Sequence, residues 1–379
     1  MSVSPYDRDL DRNPANFQPL TPITFLARAA AVFPERIAII HGDLQRNYRD
    51  YYARSRRLAS ALVQRGVTRG DTVSVMLANT PAMLECHYGV PMTGGVLNTL
   101  NTRLDARILA FTLDHAETKV LIVDREFSDI MREALALATV KPLVIDYDDP
   151  LYSGPGARLG EIEYEDLLNA GDPAYDWRPP SDEWDAISLN YTSGTTGDPK
   201  GVVYHHRGAH LLAMGNVLTG DMGRFPVYLW TLPMFHCNGW CFPWSISVAA
   251  GTHVCLRQVR AGHMYELMAA HGVTHLCGAP IVMSTLLNAS AHEKKPLSNT
   301  VRFFTAAAPP PQAVLAAMKA AGFEVTHLYG LTETYGPAAV NEWQDEWDAL
   351  DESAQASMKA RQGVRYQILD GVDVIDPET

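Results

Sequence analysis

Hydrophobic and polar positions along residues 36–145 follow two rhythms that replace each other repeatedly. RIAIIHGDLQRNY reads as a short hairpin, two alternating runs around a Gly-Asp turn. An Arg- and Ala-rich stretch from Tyr48 to Arg65 has helical spacing. Val73, Val75 and Leu77 alternate within Asp71–Leu77 and predict a strand. Pro81 then opens a helix to Gly89, in the first turn, where its missing N–H costs nothing. Asp105–His115 predicts another helix, and the apolar run Val120–Val123 a buried strand. Strands alternating with helices imply a doubly wound α/β fold with a mainly parallel sheet.

Between Asp146 and Asp185 the periodicity gives way to Asp, Gly and Pro, which predicts a linker or surface excursion. Beyond it the alternation resumes, and three strands run into loops of unusual composition. Ala186–Asn190 leads into TSGTTGDPKG, Val301–Thr305 into AAAPPP, and Val325–Leu328 into YGLTET. Open parallel sheets bind ligands beyond the carboxyl ends of their strands, so these ends are expected to share one crevice. The expected division is an N-terminal α/β subdomain over 1–180, an α/β subdomain carrying these loops over 181–340, and an incomplete β subdomain over 341–379.

At 379 residues, 47% hydrophobic and 20% charged, the chain has the composition of a globular protein with more than one core. Its 31 Lys+Arg against 43 Asp+Glu give a net charge of −12, which argues against nucleic acid or an anionic membrane surface as partner. An anionic ligand must therefore be held by a local device. Five cysteines, an odd number, do not form a disulfide framework, and the charged N-terminus lacks an apolar signal core. Together these predict a cytoplasmic location. Val227–Leu256 contains no charged residue, but Pro233, Asn238-Gly239, Pro243 and Gly251 cut it into pieces too short to span a bilayer. A strand, loop, helix and strand are expected there.

The local device is Tyr191–Gly201, YTSGTTGDPKG. Glycines let backbone N–H groups turn toward an anion, small hydroxyls add donors, and Lys200 adds a point charge. A Walker A lysine is followed by Ser or Thr, whereas Lys200 is followed by Gly201, so this is a different phosphate loop. His236, Cys237, Cys241, His253 and Cys255 have a faint zinc spacing, but apolar residues separate them, and buried inert thiols are expected instead. His206 and His210 share a helix face without the carboxylate of an H-E-x-x-H site.

YTSGTTGDPKGV resembles the signature loop of the adenylate-forming superfamily. HLYGLTET (His327–Thr334) is similar to its Y-G-x-T-E motif, TAAAPPP (Thr305–Pro311) to its adenine segment, and PMFHCNGW (Pro233–Trp240) to its acyl-site loop. GGVLNTLNTRL (Gly94–Leu104) resembles the superfamily's N-terminal half, and FHCNGWCF its acyl-CoA synthetase branch.

The resemblance implies two doubly wound, mainly parallel sheets packed together, with the start of a small β-barrel. It also implies a chain that stops before the mobile C-terminal lid, and hence weak nucleotide binding and little activity. The implied reaction activates a carboxylic acid with ATP to an acyl-adenylate and passes the acyl group to CoA. On this reading Thr192, Ser193, Gly194, Thr195, Thr196, Gly197 and Lys200 hold phosphates, and Thr332 bonds the α-phosphate. Glu333 ligates Mg²⁺, with the Thr192 hydroxyl a second candidate. Ala307, Ala308 and Pro309 back the adenine opposite Tyr329, and His327, Leu328, Gly330 and Leu331 complete that motif. His236, with Asn238, Trp240 and Ala307, forms the acid site. Lys200, Thr332, Glu333 and His236 are the implied catalytic set. ATP, CoA and a small carboxylic acid are the implied partners, and a homodimer is a possible assembly. A carrier-protein-loading enzyme and a non-catalytic nucleotide-binding module are the alternatives.

Overall fold

Period-two alternation sorts each strand's side chains between two cores, and this sorting fixes the layers. Val120 and Ile122 face a central core while Leu121 and Val123 face an outer one. Phe304 and Ile39 face the same central core, while Phe303 and Ile40 face the opposite outer one. The computed structural model describes residues 4–192, 198–308 and 310–376. Its strands are β1 (Ile37–His41), β2 (Leu44–Asn47), β3 (Thr72–Met76), β4 (Val96–Thr99), β5 (Thr118–Asp124), β6 (Leu143–Tyr147), β7 (Ile162–Glu163) and β8 (Ala186–Thr192). They continue with β9 (Lys200–His205), β10 (Val227–Leu229), β11 (Thr252–Val254), β12 (His275–Cys277), β13 (Val301–Thr305), β14 (Phe323–Leu331), β15 (Gly336–Val340) and β16 (Val364–Arg365).

Seven strands form one sheet in the order β7-β6-β5-β3-β4-β8-β9, parallel except for the β8–β9 hairpin. Nine form the other, β16-β15-β14-β13-β12-β10-β11-β1-β2, parallel from β14 to β1 and antiparallel at both ends. Helices Tyr48–Gln64, Pro81–Gly89, His206–Thr219 and Phe242–Val248 contribute to the core between the sheets. Helices Ala106–His115 and Ser128–Leu137 cover the outer face of the smaller sheet. Ala261–His271, Pro280–Leu287 and Gln312–Ala320 cover that of the larger. Two parallel sheets covered on both faces follow from the βαβ crossovers that the sequence predicts. No helix among the described residues is long and apolar enough to cross a membrane.

Three features depart from the sequence expectations. The β1–β2 hairpin lies in the larger sheet and β8–β9 in the smaller, so the sheets do not separate at residue 180. Residues 146–185, expected as a linker, supply β7 and a helix, Tyr164–Ala170, with Tyr164, Leu167 and Leu168 buried. Over 341–376, expected as an incomplete β subdomain, the chain adds a helix, Glu352–Lys359, and the two-residue β16 to the antiparallel end of the larger sheet.

The acidic residues of the supposed linker explain its folding. Asp146 accepts N–H bonds from Leu159 (2.8 Å) and Gly160 (2.7 Å). Asp149 accepts from His41 at 2.9 Å and from Arg257, which also bonds Asp124 (2.8 Å) and Glu126. Asp124 ends a strand of the smaller sheet, while His41 ends β1 of the larger and Arg257 follows its β11, so this cluster ties the sheets together. Burial pushes the Asp149 carboxyl up, but His41 and Arg257 outweigh it and hold it below its ordinary value. Removing the arginine would leave Asp124 and Asp149 buried without their shared cation. Arg257→Ala is therefore expected to cost about 3–5 kcal/mol of unfolding free energy in urea titrations. A loss below about 1 kcal/mol would show that the cluster contributes little to joining the sheets.

Candidate functional site

The β8–β9 hairpin sets Thr192 opposite Lys200 in register, at the two ends of the Ser/Gly/Thr loop. Lys200, expected within a loop, is the first residue of a strand and is exposed. Ser193, Gly194, Thr195, Thr196, Gly197 and Pro309 lie outside the described residues. β8 packs against the turn Thr332–Thr334, which continues from β14. A strand of one sheet thus meets the turn at the carboxyl end of β14 in the other.

β14 runs further than the sequence predicts, through Tyr329 to Leu331, because β15 pairs with it antiparallel. That pairing brings the backbones so close that a Cβ on Gly330 would lie 1.8 Å from the Gly336 carbonyl oxygen, so only glycine fits. Tyr329 is 43% exposed, leaving a ring face open to a ligand, and Leu331 is exposed beside it. His327 and Leu328 point inward. The His327 ring bonds the Arg361 carbonyl (3.1 Å), and Leu328 is part of the central core, so neither offers its side chain to a nucleotide. On the neighbouring strand's end, Ala307 has φ +81° and, with Ala308, is exposed.

Aromatic contacts fix the turn after β14. Tyr204 of β9 donates its hydroxyl to the Thr332 carbonyl (2.7 Å) and stacks on Tyr335, with ring centroids 4.0 Å apart. Tyr335 in turn accepts the His205 N–H at 2.9 Å. The Thr332 hydroxyl lies 3.3 Å from Cys237 Sγ, and Glu333 is exposed next to it. Burial, with the Glu333 charge adding to it, raises the Cys237 thiol above its usual value.

The acyl-loop segment has an unexpected backbone. Cys237, Asn238, Gly239, Trp240 and Cys241 all have positive φ, from +42° to +63°, giving a left-handed turn. Such geometry costs roughly 1–2 kcal/mol per non-glycine residue, so surrounding bonds must hold it. His236, just before the turn, is exposed, yet the crowding around its ring and the Arg103 charge lower its pKa below the ordinary imidazole value. Trp240 is 8% exposed, with its carbonyl accepting from Asn216 (2.8 Å) and its backbone against Gly336.

Asn238, expected to meet the acid, is fully buried and engages its amide inside the protein. Ser188 Oγ (2.8 Å) and Asn190 Nδ2 (2.5 Å) donate to its Oδ1. Sequence reasoning also passed over Arg103, a cation whose charge reaches His236 from within GGVLNTLNTRL. A lone arginine among polar residues gave no pattern to mark it. No group of three or more His, Cys, Asp or Glu among the described residues could hold a metal ion.

The chain belongs to the AMP-binding enzyme family, whose profile matches residues 26–377. It is 50% identical to the peroxisomal acetate/butyrate–CoA ligase AAE7 of Arabidopsis thaliana, over 98% of this chain and 67% of that protein. It is 44% identical to the peroxisomal benzoate–CoA ligase of the same plant, over 98% of this chain and 65% of that one. The chain therefore spans about two thirds of the length of these relatives. Its fold matches the N-terminal domain of FACL13 from Mycobacterium tuberculosis with a TM-score of 0.78 at 23% identity, over 92% of this chain and 83% of that one. The expected cytoplasmic location is overturned, because five of the matched plant enzymes are peroxisomal by name. Unpaired cysteines and a charged N-terminal stretch do not separate those two compartments.

Lys200 is exposed at the start of β9, and the expectation to be tested is that its charge meets the outer phosphates of a nucleotide. Lys200→Ala is expected to weaken ATP binding roughly tenfold or more, since a charge-assisted bond contributes about 1.5–3 kcal/mol, and to leave AMP binding nearly unchanged. Equal losses for both nucleotides in calorimetric titration would remove Lys200 from this role.

Proposed function

We propose that this protein activates a small carboxylic acid with ATP, releasing pyrophosphate, and passes the acyl group to CoA. The observation that carries the reading is the meeting of β8 with the Thr332–Thr334 turn, against which Cys237, next in the chain to His236, also rests. It brings together, from two sheets, the strand that precedes the phosphate motif and the turn that follows the exposed Tyr329. Carboxylate and ATP are both anions, so the protein's work is to neutralise charge and fix an in-line approach to the α-phosphorus. In a chain of net charge −12 that work falls to local groups. Lys200 faces the outer phosphates, the Thr332 hydroxyl the α-phosphate, and Arg103 draws the incoming carboxylate. His236, with its lowered pKa, stays neutral near pH 7 and can bond the acid without adding charge.

Mg²⁺ suits the donors available. It takes one or two protein oxygens and completes its shell with phosphates and water, and Glu333 and Thr192 offer oxygens on two elements in contact. When bound there it would supply positive charge to the phosphates as pyrophosphate leaves. On the other side of the site we place the ring of Trp240, whereas Phe242, stacked on Tyr228 and Phe304, and Trp244, bonded to the His87 carbonyl, pack in the core. A wall of this kind favours short or compact acids, consistent with the acetate, butyrate and benzoate in the names of relatives. The peroxisome of those relatives is the compartment this reading adopts.

The test is acid-dependent pyrophosphate release and CoA thioester formation by the enzyme at its natural full length, across acetate, butyrate, longer fatty acids, benzoate and methylthio acids. Short or compact acids are expected to be turned over best. Trp240→Ala should then shift preference toward longer acids, each added methylene gaining about 0.8 kcal/mol of burial. Acyl transfer to a phosphopantetheine protein but not to CoA would replace the ligase reading, and ATP binding without any acid-dependent release would end it.

A further inference from the structure

A left-handed turn of five residues, four of them not glycine, does not hold itself, and its bonds identify what holds it. Four of them converge on Asn238. Its backbone N–H donates to Asn190 Oδ1 (3.1 Å), and its Oδ1 accepts from both Ser188 Oγ and Asn190 Nδ2. Its Nδ2 lies 3.4 Å from Thr99 Oγ1, which itself donates to the Phe235 carbonyl at 3.0 Å. Ser188 and Asn190 are on β8 and Thr99 ends β4, its neighbour in the sheet. β8 is held by ladders on both sides and two residues after Asn190 reaches Thr192, where the phosphate loop begins. The turn's other flank rests on the post-β14 segment, through Cys237 to Thr332 and Cys241 Sγ to the Tyr335 carbonyl (3.8 Å).

We infer that Asn238 is a positioning residue: its buried amide locks the left-handed turn onto the strand that carries the phosphate loop. His236 and Trp240 are thereby held in fixed register with the nucleotide site. The inference rests on the acid-activating reading above, and it assigns Asn238 no contact with substrate. Because β8 is the better-anchored partner, breaking the amide bonds should release the turn and leave the strand in place. The acid would lose its wall before ATP lost its loop.

The test compares Asn238→Ala, Asn238→Gly and Asn190→Ala with the wild type, all at natural full length, in acid-dependent ATP–pyrophosphate exchange. All three variants are expected to raise the KM for the acid about tenfold and to flatten the ranking among acids, with the KM for ATP changed by less than about threefold. Asn238→Gly matters because glycine adopts positive φ freely but has no amide. If it restores wild-type constants, backbone preference alone holds the turn and the inference is overturned. Lower kcat with an unchanged KM for the acid also overturns it, as that is what plain destabilisation gives. Asn190→Ala leaves every residue of the turn intact and serves if the Asn238 variants do not fold.

A second readout does not depend on the reaction. Cys237 is buried against Thr332 in the wild type, and iodoacetamide labelling followed by peptide mass spectrometry should find it roughly tenfold faster in Asn190→Ala. Unchanged labelling overturns the clamp. Faster labelling in a protein without acid-dependent exchange upholds the clamp and defeats only the acid-activating reading.

Discussion

Helix Pro81–Gly89 has no solvent side: every one of its residues is buried between the two sheets. Its burial states the constraint on which the rest depends, that both sheets close over one shared layer of helices. Tyr51 donates to the Leu84 carbonyl (3.0 Å) and Trp244 to the His87 carbonyl (3.2 Å), so neighbouring helices bond into this one. Glu85, within the same helix, is bonded by Arg54 (2.6 Å), Arg46 (3.0 Å) and Tyr164 (2.8 Å). Burial pushes its carboxyl upward against the pull of Arg54, and the surrounding donors are what let a carboxylate remain there. Each large apolar side chain in this layer contributes about 1.5–3 kcal/mol relative to exposure. Neither sheet can slide without opening that core.

The site exists because of this closure. A single parallel sheet would put one row of loops beyond its strand ends. Two sheets sharing a core bring two rows face to face. The β8–β9 hairpin from one meets the β14 turn from the other, and the Tyr204–Tyr335 stack and the Tyr204–Thr332 bond join them. The left-handed turn after His236 fills the corner between. Its strained backbone belongs with the strained residues that cluster at functional sites, held because the surroundings over-determine it.

Much of the fold was legible because its signals are local. Pro81–Gly89 was read to the residue, since Pro marks a first turn, and Asp105 was read one position early because it caps the next helix through its carboxylate. The Val120–Val123 run lies inside β5. What stayed hidden depends on partners distant in sequence. β9 is a strand only because β8 lies beside it, and β14 extends through Tyr329 only because β15 pairs back. Asp149 looked like a linker residue until His41 and Arg257, each more than a hundred positions away, closed on it. The site divided in the same way. The motifs marked Thr192, Lys200, Tyr329 and Thr332, which sit where the elements meet. They could not tell that Asn238 faces inward, because a buried amide and a substrate-binding one have the same letter. Compartment was the least legible property, since nothing in the cysteine count or the N-terminal charge encodes it.

The central claim is that the two sheets form one cooperative body through their shared core, and native-state hydrogen exchange tests it most directly. The slowest amides of Val73 and Val75 in β3 and of Phe303 and Phe304 in β13 lie in different sheets, with Val73, Val75 and Phe304 facing the shared core. They are expected to exchange through the same global opening, with equal free energies and the same dependence on denaturant. Two separate opening free energies, one for each sheet, would contradict it.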